Sequence, residues 1–232
     1  MNIAVISDIH GNSIALKEVL DDIKKKNIQK ILICGDFLGY YFNHKLVFKF
    51  LENIDWQGVQ GNHDATLFYF LKRDREKIRK YRREFGKSID IAIRDLTKKQ
   101  VASIIDLPKT RTVHLHGRKI FMCHGSPWNQ NFYIYPDSTR KVFTRIAETD
   151  CDLLIYGHTH YPYIKKIKGK LIVNPGSVGQ PRDKGSLASW AEVNLDNMSA
   201  KIHRIPFEPY KLIKQIKKIN PYNHYLKEVL LR

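Results

Sequence analysis

The sequence predicts an α/β protein in which two packed sheets are covered by helices, with a helical cap inserted after residue 64. Three observations predict this fold. The first half alternates short apolar runs with amphipathic segments, the second half is mostly β, and a polar helical block separates them. Strands that alternate with helices form a parallel sheet, and ligands gather at the carboxyl ends of its strands.

The first half contains three predicted strands separated by two helices. The strands are continuous apolar runs, as strands buried on both faces require. The helices carry apolar residues at helical spacing, and Asn12 or Ser13 can cap the first of them. In order, the five elements are Ile3–Ile6, Ser13–Lys26, Lys30–Cys34, His44–Asn53 and Trp56–Gln60.

The rest of the chain begins with the predicted cap. Residues 64–95 are expected to be mostly helical, and Thr97 and Gln100 have capping-box spacing before a helix that Pro108 ends. Later elements are strands at 111–116, 119–123 and 152–156, a helix at 138–149, hairpins at 163–174 and 186–206, and a helix from Lys211. With no repeat or linker, we expect one domain over residues 1–232, with the cap at about 64–107 and a basic C-terminal segment at about 207–232.

Composition places the chain among globular proteins. Its 232 residues are 43% hydrophobic, which is enough for one substantial core. Cys34, Cys123 and Cys151 are an odd number without a Cys-x-x-Cys pair, which argues against a disulfide framework and favours a reducing compartment. No stretch is long and apolar enough for a membrane span, and no basic region precedes the first apolar run. We therefore expect a cytoplasmic protein without a membrane partner.

The net charge of +17 has two main sources. Residues 72–87 hold nine basic and three acidic residues, and residues 211–232 hold six basic residues and one acid. Such segments attract polyanions such as nucleic acid or phosphorylated molecules, and they are also typical of solvated helix faces. Because no nucleic-acid-binding motif accompanies them, a nucleic-acid partner is left open but not favoured.

Five short segments each end an apolar run with Asp, Asn or His. Asp8 and His10 are spaced i, i+2, as are His158 and His160, so both side chains of each pair can reach one cation. A carboxylate with imidazoles suits Mn, Fe, Co, Ni or Zn better than Ca or Mg. Five such segments together predict a centre for two metal ions. They are Ser7–Asn12, Gly35–Asp36, Gly61–Asp64, His124–Gly125 and Gly157–His160.

Other residues near these segments are given structural roles. Asp64 either orients His63 or begins the next helix, and we favour the helix start. Trp128, Tyr133 and Tyr135 either stack on a base or ribose or fill a small core in their own loop, which we favour. The remaining five histidines are expected to face solvent or a sheet edge: His44, His114, His116, His203 and His224.

At these residues the chain resembles the calcineurin-like metallophosphoesterases, and within them the small bacterial and archaeal members of phosphodiesterase type. The resemblance follows chain order over about residues 1–206. It implies the two-sheet αββα sandwich of that family, in agreement with the progression from strands to hairpins. The matching motifs are Asp8-x-His10-Gly11-Asn12, Gly35-Asp36, Gly61-Asn62-His63-Asp64, His124-Gly125-Ser126-Pro127, Gly157-His158-Thr159-His160 and the loop Asn174–Arg182.

The resemblance also implies a site and a reaction. It assigns Asp8, His10, Asp36 and His160 to one divalent metal, and Asp36, Asn62, His124 and His158 to the other. Manganese is favoured, with Fe, Ni, Co and Zn left open. His63 matches the family's catalytic histidine, which assists the leaving group while a metal-bridging hydroxide attacks phosphorus. Asn12 and Arg182 are added as candidate substrate contacts, with a purely structural role of Arg182 in fixing its loop left open as the alternative.

The favoured function is therefore a phosphodiesterase that acts on a phosphorylated small molecule or a nucleotide. Hydrolysis of a dinucleoside polyphosphate, or of phosphomonoesters on proteins or small molecules, is the alternative with the same metals. An interaction scaffold, like the retromer-subunit relatives of this family, is disfavoured because His63 and all seven ligand positions are filled. A homo-oligomer is left open.

Overall fold

A computed structural model, which describes residues 1–232, contains ten strands and nine helices. The strands are β1 Asn2–Ile6, β2 Lys30–Ile33, β3 Asp55–Gly58, β4 Thr110–Leu115, β5 Arg118–Cys123, β6 Leu153–Ile155, β7 Tyr163–Ile167, β8 Lys170–Asn174, β9 Leu187–Asn194 and β10 Ser199–Pro206. The helices are α1 Ser13–Lys25, α2 His44–Leu51, α3 Asn62–Leu71, α4 Arg75–Phe85, α5 Ser88–Asp95, α6 Lys98–Ile105, α7 Arg140–Ile146, α8 Tyr210–Ile219 and α9 His224–Glu228. The predicted alternation of strands and helices is confirmed.

The strands form two mixed sheets of five strands each. The first has the order β10-β9-β1-β2-β3 and the second the order β4-β5-β6-β8-β7. In the first sheet β1, β2 and β3 are parallel, and in the second β5, β6 and β8 are parallel. In the first sheet the antiparallel strands β9 and β10 lie on one side of the parallel strands, and in the second sheet β4 and β7 are antiparallel edges. Hence each sheet has three adjacent parallel strands whose carboxyl ends can carry a site.

The sheets pack face to face through alternating side chains of their central strands. Along β1, Ile3 and Val5 belong to a cluster of 15 buried residues drawn from both sheets. Ala4 and Ile6, on the opposite face of β1, belong to a cluster of 36 buried residues that also includes side chains of α1, α2 and α8. Helix α7 covers the outer face of the second sheet. The layers are therefore αββα, and the predicted fold class is confirmed.

We call α3–α6 (residues 62–105) the cap. Its apolar side chains, among them Leu67, Tyr81 and Ile104, lie in the same 36-residue cluster as the helices that cover the first sheet. The cap also contacts the C-terminal helices, because the Lys87 amide donates to Asn220 Oδ1 at 3.3 Å. A capping box between Thr97 and Gln100 begins α6, as its spacing predicted.

Three features differ from the sequence expectations. Helix α9 was not predicted, because five residues are too few to show helical periodicity. Asn62 and His63 lie in the first turn of α3 rather than ahead of a helix. His44, expected at the surface, is fully buried, and its Nε2 lies 3.3 Å from Ser88 Oγ.

The other four histidines outside the metal motifs lie at or near the surface. His114 and His224 are exposed, as predicted. His116 is also exposed but has an acidic partner that the sequence did not reveal, Asp196. His203 is half-buried, stacks on Trp190 and pairs with a glutamate. No helix is both long and apolar enough to span a bilayer.

Candidate metal centre

The polar segments that end the strands lie together at one edge of the sandwich. They follow the parallel strands β1, β2 and β3 of the first sheet and β5 and β6 of the second. Asn62 is half-buried. The other residues of the site are each at most 5% exposed: Asp8, His10, Asp36, His63, His124, His158 and His160. The structure thus gathers every predicted ligand and the predicted catalytic histidine.

The backbone is left-handed at five of these positions. Glycine adopts such φ values without strain and Asn and Asp do so occasionally, whereas most other residues lose about 1–2 kcal/mol each. Strain of this kind clusters at functional sites, where surrounding structure holds it in place. The φ values are 55° at Asp8, 51° at His10, 56° at Asp36, 68° at His158 and 63° at His160.

Backbone carbonyls fix the tautomers of three histidines. A carbonyl only accepts hydrogen bonds, so the Nδ1 that faces it carries the proton and Nε2 presents a lone pair. Such a contact is the usual support of a histidine that binds metal. The pairs are His10 Nδ1 with Leu38 O at 2.9 Å, His124 Nδ1 with Cys34 O at 2.7 Å and His160 Nδ1 with Gln180 O at 2.6 Å.

The lone pairs of the side chains expected to bind the first metal, Asp8, His10 and His160, converge on one point. His10 Nε2 and His160 Nε2 are 3.1 Å apart, and Asp8 Oδ1 lies 3.3 Å from His160 Nε2 and 3.6 Å from His10 Nε2. Asp8 Oδ1 is buried and has no hydrogen-bond donor. Ligand atoms that share one ion at its usual bond lengths stand roughly 3.0–3.4 Å apart. These side chains therefore fit a divalent cation.

The second group converges in the same way beside the first. His124 Nε2 lies 2.9 Å from Asn62 Oδ1, 3.1 Å from His158 Nδ1 and 3.3 Å from Asp36 Oδ2. Asp36 Oδ2 is also 3.7 Å from His10 Nε2 of the first group. The other oxygen, Asp36 Oδ1, accepts the His63 amide at 2.9 Å, so Oδ2 alone stands between the groups.

Both carboxylates are held in their charged form. Burial opposes the charge of Asp36, but His124, His63 and His10 together outweigh it and lower the pKa of this carboxyl below its usual range. Burial likewise opposes the charge of Asp8, and His160 helps to lower its pKa well below its ordinary value. His124 is disfavoured as a cation by burial, yet Asp36 raises its pKa to about 9. The surroundings of Asp8 and Asp36 therefore strongly favour a positive charge.

His63 lies next to Asp36 and is enclosed by residues that the sequence did not indicate. Its Nδ1 is 3.0 Å from the Tyr81 hydroxyl on α4, and its ring packs against Tyr40 and Phe85. Burial lowers the pKa of His63 to about 3, against the opposing effect of Asp36. Tyr81 and Phe85 share a helix face at i, i+4 spacing, but nothing in the sequence places that face over residue 63.

Asp64 does not orient His63. Its carboxylate accepts the amides of Gly61 at 2.9 Å, Asp36 at 2.8 Å and Leu38 at 2.9 Å. These bonds begin α3 and join it to the loop after β2. The helix-start interpretation of Asp64 is therefore confirmed.

The two candidate substrate contacts differ. Asn12 is fully buried, its Oδ1 accepts the Ala15 amide at 3.1 Å, and its Nδ2 donates to Gly179 O at 2.8 Å. Both polar atoms of the Asn12 side chain are thereby engaged in hydrogen bonds within the fold. Arg182 donates from Nη2 to the Tyr40 hydroxyl at 3.1 Å, while its buried Nε has no partner.

The loop after β5 contributes a tyrosine to the rim of the site. Tyr133 is 44% exposed and lies flat on His158, with ring centroids 3.9 Å apart. It also stacks on Tyr135, with centroids 5.8 Å apart, so the expected packing within the loop accounts for only part of its contacts. Trp128 does pack inside the loop, against Phe132, with Arg145 over its ring. Tyr133 is therefore available to a ligand, and Trp128 is not.

Comparison with known proteins identifies the family. Residues 1–198 match the calcineurin-like phosphoesterase superfamily domain. The chain belongs to this family. The resemblance expected from the motifs is thus confirmed, and the chain is a phosphoesterase-family protein whose aspartates and histidines form groups that could hold metal ions.

Individual relatives and a solved structure are similar to nearly the whole chain. The uncharacterized protein MJ0912 of Methanocaldococcus jannaschii is 30% identical, with 93% of this chain and 92% of that protein covered. Phosphodiesterase YfcE of Escherichia coli strain K12 is 25% identical, with 95% of this chain and all of that protein covered. The crystal structure of a metallophosphoesterase from Sphaerobacter thermophilus superposes with a TM-score of 0.79 at 23% identity, covering 99% of this chain and 98% of that one, and so shares the fold.

Proposed function

We propose that the protein is a phosphodiesterase that works with two divalent metal ions. The observation that carries the proposal is the pair of converging ligand groups with Asp36 Oδ2 between them and His63 beside them. Asp8, His10 and His160 would hold one ion, and Asn62, His124 and His158 the other, with Asp36 shared. Imidazole and carboxylate donors suit Mn, our favoured metal, as well as Fe, Co, Ni or Zn.

When bound, the metals would supply an activated water and neutralise charge on the phosphoryl oxygens. The chain's own residues would bind and orient the substrate. His63 would assist the leaving oxygen through Nε2, since its Nδ1 faces Tyr81. Arg182 would bind a phosphoryl oxygen, because a largely buried guanidinium without a carboxylate partner leaves room for an anion.

A diester is favoured over a monoester because YfcE of Escherichia coli, which this chain covers in full, carries the name phosphodiesterase. The exposed ring of Tyr133 over His158 supports a substrate with a planar group, such as a nucleotide. Three free, buried cysteines support a cytoplasmic location.

The proposal is tested with protein reconstituted with Mn, Fe, Co, Ni or Zn. We expect faster hydrolysis of bis(4-nitrophenyl) phosphate than of 4-nitrophenyl phosphate. The reverse order would replace the diesterase by a monoesterase, and inactivity on both with every metal would contradict the proposed function.

His63→Ala separates chemistry from metal binding. We expect at least about a 100-fold loss of kcat, the usual cost of removing a donor that stabilises charge developing in the transition state, with two metals per chain retained. Steady-state kinetics measure the loss of kcat, and elemental analysis measures the metal content. A variant that loses metal together with activity would instead make His63 a ligand, in the group that it forms with His10 and Asp36.

A further inference from the structure

We propose that Tyr81 of the cap is a positioning residue that holds His63 in the tautomer with its proton on Nε2, so that His63 donates a hydrogen bond to the leaving oxygen. This inference rests on the proposed phosphodiesterase function. It makes the cap a part of the catalytic apparatus.

The contact joins two buried side chains on different elements. His63 is in the first turn of α3, Tyr81 is in the middle of α4, and the Tyr81 hydroxyl lies 3.0 Å from His63 Nδ1. His63 is 4% exposed and Tyr81 is 5% exposed. The Gly39 backbone also lies so close that a Cβ there would be 2.7 Å from His63 Nδ1. The ring of His63 is therefore closely packed around Nδ1.

The direction of the hydrogen bond follows from the partners available. A buried phenol hydroxyl needs an acceptor, and the one that Tyr81 reaches is His63 Nδ1. If Nδ1 carried the proton, it would donate to the Tyr81 oxygen and leave the phenol proton buried without an acceptor. Both groups are satisfied when Tyr81 donates to Nδ1, and the proton of His63 is then on Nε2.

The group that faces Nδ1 distinguishes His63 from the neighbouring histidines. His10, His124 and His160 have carbonyl oxygens facing Nδ1, which leaves lone pairs on Nε2 for a metal. His63 has a hydroxyl donor facing Nδ1, which leaves an N–H on Nε2. A protonated ring nitrogen cannot bind a metal but can donate to an oxygen. Nε2 makes no hydrogen bond within the protein, so it is free for the substrate.

In the reaction, this N–H would stabilise charge without leaving His63. A water oxygen forms a new bond to phosphorus and gives its proton to solvent. The bond from phosphorus to the leaving oxygen breaks, its electron pair stays on that oxygen, and the hydrogen bond from Nε2 stabilises the developing anion. The leaving group then takes its proton from solvent. The benefit is greatest for a leaving group that is a weak acid, because more charge then develops on its oxygen.

Kinetics with matched substrates test this role. Bis(4-nitrophenyl) phosphate and diphenyl phosphate have similar shapes, but phenol is the weaker acid. We expect Tyr81→Phe to lower kcat on diphenyl phosphate about 10- to 100-fold further than on the nitrophenyl ester, with little change of KM. Tyr69→Phe is the control, because Tyr69 lies on α3 of the cap and its hydroxyl has no partner; both rates should stay at the wild-type value. Equal losses on both substrates, or none, would overturn the proposal.

Nitrogen NMR of zinc-loaded, ¹⁵N-histidine-labelled protein tests the tautomer without reference to activity. His63→Gln identifies the His63 signals. We expect wild-type His63 to have a bare Nδ1 and a protonated Nε2, and Tyr81→Phe to lose that preference. A proton on Nδ1 in the wild type would overturn the inference. If the wild type hydrolyses neither diester, the proposed function fails while this spectrum still decides the role of Tyr81.

Discussion

Arg182 shows how a single residue can indicate a ligand. Its guanidinium is largely buried, bonds to the Tyr40 hydroxyl and has no carboxylate partner. The nearby Arg204 differs, since both of its terminal nitrogens bond to Asp183 at 2.9 and 3.0 Å. A buried cation without a counter-charge is costly unless an anion arrives. The phosphoryl group of the substrate would be that anion.

Arg182→Gln should therefore raise KM about 10- to 100-fold, in line with the loss of a charge-assisted hydrogen bond, and change kcat less. Steady-state kinetics on bis(4-nitrophenyl) phosphate measure both constants. Arg204→Gln is the matched control and should leave KM at its wild-type value. Equal effects of the two substitutions would mean that Arg182 only fixes its loop.

The ligand residues could be predicted from sequence because each lies in a short contiguous motif at a strand end. Their assignment to metals stays a prediction, although the structure brings the side chains together. The left-handed backbone of Asp8 and His160 could not be predicted from the sequence, because the turns around these residues impose their φ values. Tyr81 could not be predicted either, because its contact with His63 depends on how α4 docks.

At the scale of elements, the long periodic helix α1 was predicted well and the short helix α9 was not. The predicted helix Ser13–Lys26 is α1 to within one residue, and Asn12 caps it as expected. Helix α9 was missed, yet Leu226 in α9 and the following Val229 and Leu230 are buried in the largest core cluster. Its five residues gain their stability from tertiary packing rather than from helix propensity.

Leu226→Ala should therefore lower the free energy of unfolding by about 2–5 kcal/mol, the cost of a large-to-small substitution in a core. Urea denaturation followed by circular dichroism measures the loss. Leu231→Ala, at a position 59% exposed, should change stability by less than about 0.5 kcal/mol. A loss of that small size at Leu226 would show that α9 is not docked in solution.

For the whole molecule, we propose one domain with the cap as an integral part, because cap side chains share a core cluster with the helices over the first sheet. The basic residues of α4 face outward along most of the helix, while Tyr81 is buried towards His63. The charge of the cap is therefore separate from its proposed catalytic role. This separation could not be predicted from the charge of residues 72–87 alone.

Metal binding should stabilise the entire fold. Two buried carboxylates and strained loops meet at the centre, and a ligand that binds only the folded state adds about 2.7 kcal/mol per site at a hundredfold excess over its Kd. Thermal unfolding should therefore occur at a higher temperature with metal than after chelation. An unchanged midpoint after verified metal removal would contradict metal binding to the folded state.

The central claim is that Asp36 is shared by two metals, and the metal content of Asp36→Asn tests it most directly. Asparagine tolerates the left-handed backbone of this position, so the fold should persist. Elemental analysis should find two metal ions per wild-type chain and fewer than one per Asp36→Asn chain. The control is Asp21→Asn on the surface of α1, which should retain two metal ions per chain. Two ions retained by Asp36→Asn would contradict the shared ligand and, with it, the proposed centre.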